Sequence, residues 1–148
     1  SFYLERGCYT LAAVVDESEA GDEPLTLKGK FIDLFDPELP VLREKTVNPG
    51  EQAFLFDISR VKDKKQPQVL AAASRQYDEQ RTANSYSFVA KSPAQTSNVM
   101  RILLPKKPKS VKLNGTATDA WQWNENDQNT MLLKFENDPD GVKVDIKW

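Results

Sequence analysis

The sequence has no histidine and a single cysteine among its 148 residues. Without an imidazole, Ser-His-Asp and Cys-His catalysis are excluded, and the commonest zinc ligand is missing. Cys8, alone, forms neither an internal disulfide nor a thiolate metal site. As a nucleophile it would need a cationic neighbour to lower its pKa, and a buried strand thiol is the simpler reading. Neither GxxxxGK[ST] nor GxGxxG occurs, so phosphate cradles are absent as motifs and no cofactor is expected. Long apolar runs are missing too. The longest, such as "LAAVV" at 11–15, fall far short of the roughly 20 residues a bilayer span needs, so no membrane insertion is expected. Nor is there an excess of charge. The net charge is −2 and the pI about 5.3, which gives no long-range attraction to nucleic acid or anionic lipid. The basic stretches "RVKDKK" (60–65) and "PKKPKSVK" (105–112) lack interleaved aromatics and read as polar loops.

What is present is material for one globular domain over 1–148: 39% hydrophobic and 28% charged residues. The first residues, "SFYLERGCY", lack a basic start followed by an apolar run, so they do not read as a signal peptide. The chain reads instead as a domain cut from a larger protein. Along it, short apolar segments alternate with turns. "CYTLAAVVD" (8–16) is apolar on both faces, like a central strand. "DESEAGDE" (16–23) is a solvated acidic loop. "LTLKGKFIDLF" (25–35) alternates, with Gly29 at a bulge position. "DPELP" (36–40) and "NPGE" (48–51) are turns, the latter of type II. "QAFLFDI", "VLAAASRQYDEQR" (69–81), "SYSFVAK", "NVMRILLP" and "KSVKLNG" follow as strands, the last ending in the Asn-Gly hairpin signal. "AWQWN", "TMLLKFEN" and "GVKVDIKW" complete the set. The expectation is an all-β chain of about nine to ten antiparallel strands, a β-sandwich of jelly-roll or immunoglobulin-like type.

Candidate chemistry concentrates in "WQWNENDQN". Trp121 and Trp123, two residues apart in a strand, share a face. Exposed, they offer flat rings for stacking on sugars, with Asn124, Asn126 and Asp127 to bond the hydroxyls. Buried, they stabilise the core, with Met131, Leu133 and Phe135 as the facing surface; the packing role is the stronger expectation. Carboxylate clusters at Asp33, Asp36 and Glu38, and at Asp119, Glu125 and Asp127, raise the question of a glycosidase pair. With 22 acids in the chain, clusters arise by chance, and short turns recruit Asp for backbone bonds. The "NENDQN" turn lacks the spacing of an EF-hand loop, so no metal site is expected.

The stretch "PKSVKLNGTATDAWQWNENDQNTMLLKFEN" resembles the last part of C-terminal β-sandwich domains in bacterial multidomain glycoside hydrolases. The elements that carry the likeness are Pro108, Val111, Leu113, Asn114, Gly115, Trp121, the acidic turn and the final apolar strand. The resemblance implies a non-catalytic accessory domain, exported from a bacterial cell to the periplasm or outside. Its partner would be a catalytic domain of the same parent chain, within a system whose substrate is carbohydrate. A carbohydrate-binding module acting on a polysaccharide or oligosaccharide is the alternative, and a stand-alone carboxylate glycosidase ranks last. The accessory reading expects an apolar docking patch, with Phe2, Tyr3 and Trp148 as contributors.

Overall fold

The computed structural model describes residues 1–16, 23–93, 96–125 and 129–148. Among these residues the chain is all-β, with 14 strands in three antiparallel sheets, none closed into a barrel. The contacts divide it into two compact units, Ser1–Lys62 and Asp63–Trp148, where the sequence reading treats 1–148 as one domain.

The first unit is a five-stranded sheet built from β1 (Phe2–Arg6), β2 (Tyr9–Ala13), β3 (Leu25–Asp33), β4 (Val41–Val47) and β5 (Gln52–Asp57), in the order β1-β2-β5-β3-β4. Gly7 and Cys8 form a two-residue connection between β1 and β2. Gly7 has a φ of +58° at the first central position, as a type II′ hairpin requires. The expected turn at 48–51 is present: Gly50 has a φ of +86°, and the Glu51 amide donates to the Asn48 carbonyl at 2.9 Å. The expected irregularity at Gly29 is present too, as a register shift between Lys28 and Phe31. A Cβ at Gly29 would lie 2.8 Å from the Phe31 ring, so this strand bends where only glycine fits. One face of the sheet buries a small cluster of Ala12, Val14, Phe31, Val47, Ala53 and Leu55.

The second unit is a β-sandwich. One sheet has the order β11 (Thr116–Ala117), β10 (Ser110–Leu113), β14 (Val142–Lys147), β8 (Ser85–Lys91), β7 (Arg75–Arg81). The other runs β12 (Trp121–Asn124), β13 (Thr130–Glu136), β9 (Ser97–Leu103), β6 (Gln68–Ala72). Alternation places Tyr86, Phe88 and Ala90 of β8 and Val142, Val144 and Ile146 of β14 inward. They meet Met100, Ile102, Met131 and Leu133 of the opposite sheet in one core. Each of the Phe, Val, Ile, Leu and Met side chains among them, fully buried, is worth about 1.5–3 kcal/mol. Asn114 and Gly115 form the expected hairpin turn, with φ of +50° and +81° as a type I′ turn demands.

Four expectations are corrected. Among the described residues there are 14 strands where about nine to ten are expected, several of them short or exposed on both faces. Cys8 is not a buried strand thiol but lies partly buried in the turn between β1 and β2. The segment 69–81 is not one strand: it splits into β6 and β7, which belong to different sheets, and the bend at 73–74 carries the chain from one to the other. Trp148 is not part of an exposed patch but sits in the sandwich core, 9% exposed.

Candidate functional site

The tryptophan pair lies on β12, at the edge of the smaller sheet of the second unit. Trp121 pairs with Leu133 and Trp123 with Met131. Because opposed residues in a ladder project to the same face, both indoles follow Leu133 and Met131 inward. Both are partly buried against the core. The Trp121 indole N–H donates to the Thr118 carbonyl at 3.1 Å, so its polar edge is already satisfied. Asn124 is engaged as well: its side-chain carbonyl accepts from the buried Arg101 guanidinium at 2.8 Å, and Thr130 Oγ1 lies 3.4 Å from the same nitrogen. Asn126 and Asp127 lie outside the described residues. The packing role expected for the indoles is therefore visible, and the amide beside them is held by a buried cation.

The carboxylate clusters hold local turns. Asp33 accepts from the Phe35 amide at 3.0 Å and pairs with Lys45 at 3.4 Å. Asp36 accepts from the Glu38 amide at 2.9 Å. These are the short-range bonds that recruit Asp to turns. At Asp119 and Glu125 the backbone carbonyls do the bonding, to the amides of Trp121 and Asn129. Among the described residues no group of three or more Cys, Asp or Glu is gathered as a metal would need.

The feature that sequence reading located only at its margin is the other face of the first sheet. The registers Leu4↔Leu11↔Phe54 and Arg6↔Tyr9↔Phe56 place these residues side by side on one face of β1, β2 and β5. The rings form a chain of contacts: Phe35 to Phe54 at 6.0 Å, Phe54 to Tyr9 at 5.7 Å, Tyr9 to Phe56 at 5.5 Å. Such aromatic pairs normally lie in a core or an interface. Here Phe2, Leu4, Tyr9 and Phe35 are each about half exposed, at 50%, 48%, 46% and 57%. Leu4, Arg6, Tyr9, Leu11 and Phe54 line a shallow apolar recess of about 230 Å³, with Arg6 the one charged residue among the described residues that line it. On the opposite face of β1 the Tyr3 hydroxyl donates to Glu5, which also pairs with Arg60 at 2.7 Å. The Tyr3 bond, then Arg60, holds the Glu5 carboxyl below its ordinary range.

Phe2 and Tyr3 are both exposed, Tyr3 on the opposite face and Phe2 on the aromatic one. Tyr9, Leu11, Phe35 and Phe54 were not anticipated there. The signal for them is a two-residue Gly-Cys turn flanked by Phe2, Leu4 and Tyr9, Leu11 at period two. Comparison of the chain with known protein families, curated proteins and solved structures found no match.

Proposed function

We propose that this chain is a non-catalytic accessory module that docks the aromatic face of its first sheet onto the catalytic domain of the same parent protein. The parent, on the resemblance stated above, is a bacterial carbohydrate-active enzyme working in the periplasm or outside the cell. The observation that carries the reading is the uncovered face itself: half-exposed Phe2, Leu4, Tyr9 and Phe35 around an apolar recess. Each of these side chains, on being covered, contributes about 1 kcal/mol. Contiguous apolar surface of this kind marks an interaction site rather than a solvent face. Covering it with a neighbouring domain needs no histidine, metal or cofactor, which suits the composition. The tryptophan pair serves the sandwich core and leaves ligand stacking unassigned.

The test is to mix the purified chain with the separately produced catalytic domain of the parent and follow the mixture by size-exclusion chromatography. Co-elution is expected, and Tyr9→Lys abolishes it while leaving the circular dichroism spectrum unchanged. Absence of a complex, or a complex indifferent to both Tyr9→Lys and Phe35→Lys, overturns the reading.

A further inference from the structure

The two edges of the first sheet are treated differently. Strand β4 carries three consecutive charged residues, Arg43, Glu44 and Lys45, and its ladder with β3 is broken by the bulge. Charges and bulges are the usual means of stopping an edge from pairing with another chain. Strand β1 has no bulge and carries only two charged residues, Glu5, already paired with Arg60, and Arg6 at its turn end. It contains no proline and no lysine, it is exposed along its whole length, and its register with β2 runs unbroken from Phe2↔Ala13 to Arg6↔Tyr9.

The direction of its free backbone groups follows from neighbouring bonds. The Cys8 carbonyl accepts from the Asp57 amide at 2.7 Å, and Val14 bonds to Glu51 and Gly50 through its N–H and C=O. Residues 8, 10, 12 and 14 therefore point toward β5, and residues 9, 11 and 13 toward β1, since the direction alternates along a strand. Their partners Phe2, Leu4 and Arg6 point back at β2. The outward edge of β1 thus presents the N–H and C=O of Tyr3 and Glu5, and no described strand takes them.

We propose that β1 is a self-pairing edge: two copies of the chain join antiparallel through β1, about a twofold axis at Leu4, and fuse their sheets into one. The geometry selects that register. Hydrogen-bonded pairs require outward residues to oppose outward residues, and centring on Leu4 sets Tyr3 against Glu5 of the second copy, twice. Phe2 then faces Arg6 of the second copy, a cation–π pairing at the rim of the apolar recess. On the same face Leu4 meets Leu4 across the axis, in the closer, non-hydrogen-bonded kind of pair. No like charges are opposed. Centring on Glu5 instead sets two carboxylates against each other, and centring on Tyr3 leaves Arg6 without a β1 partner. The arrangement is isologous, as a twofold interface must be. It uses the backbone of the edge and does not rest on the docking of the sheet face.

The test uses the chain alone. Sedimentation across rising concentration is expected to show the mass climbing from 16.8 kDa toward twice that value. Leu4→Lys, which sets two ammonium groups against each other at an already exposed position, holds the chain at monomer mass with unchanged circular dichroism and Tm. In a Cys8→Ser background, mild oxidation crosslinks Leu4→Cys into a disulfide dimer and leaves Tyr3→Cys uncrosslinked. The proposal is overturned by a chain that stays monomeric throughout, by a dimer indifferent to Leu4→Lys, or by equal crosslinking at both positions.

Discussion

Both units are made of antiparallel strands with the same period-two alternation, yet they dispose of their large apolar side chains in opposite ways. In the second unit, two sheets enclose Tyr86, Phe88, Met100, Ile102, Met131, Leu133 and Ile146 completely, and even the tryptophans turn toward that core. The first unit has one sheet. Its buried cluster consists largely of small or β-branched residues, while a chain of aromatic rings lies on the other face with Tyr9 and Phe35 half exposed. The sandwich spends its aromatics on its own stability. The single sheet holds several of them where a partner can reach, and this contrast carries the functional reading.

The contrast breaks most sharply at Phe88. It is fully buried on β8, so Phe88→Ala is expected to cost about 3–5 kcal/mol in urea denaturation. The same truncation at Phe35 should fall within about 1 kcal/mol and act on docking instead. Next in size is Gly29→Ala. Its new Cβ meets the ring of the buried Phe31, and overpacking of this kind costs about 1–3 kcal/mol. A shift of the chromatographic complex without loss of stability there would mean that β3, too, contacts the partner.

A subtler effect concerns Tyr86. Its hydroxyl donates to Glu79 at 2.6 Å, and Arg81 lies 4.8 Å over its ring. Burial, then the Glu79 bond, pushes its pKa well above the ordinary value near 10. A raised folded-state pKa means that the unfolded chain ionises first. The stabilisation is therefore complete below pH 10 and declines as the pH rises above it. Denaturation midpoints at increasing alkaline pH should fall for the unmodified chain and fall less for Tyr86→Phe. The smallest expected effect is on tryptophan fluorescence: titration with a panel of polysaccharides should give no saturable change, since both indoles pack against the core.

Much of the second unit was legible in the sequence because its strands are buried on one face. "SYSFVAK" and "GVKVDIKW" alternate cleanly, Asn114–Gly115 announces its own turn, and Trp121 and Trp123 share a face with Met131 and Leu133 opposite. Strands that are exposed on both faces leave no such trace. β1 has no buried position and β4 only one, so neither stands out as a strand in the sequence. The break between β6 and β7 was hidden for a related reason: the chain changes sheets at Ala73 and Ser74, with neither glycine nor proline to mark it. The aromatic face was obscured because it is assembled from β1, β2, β5 and the turn bearing Phe35, and each segment taken alone resembles an ordinary strand or loop. Pairing joins them, and pairing across three strands is not written in any one of them.

Hydrogen exchange measured on the chain alone and mixed with the catalytic domain proposed as its partner tests the central contrast most directly. Slower exchange is expected in the mixture for amides of residues 2–11 and 52–57, with rates at residues 121–124 and 130–136 unchanged. Equal rates at 2–11 and 52–57, or added protection confined to the tryptophan strand, would contradict it.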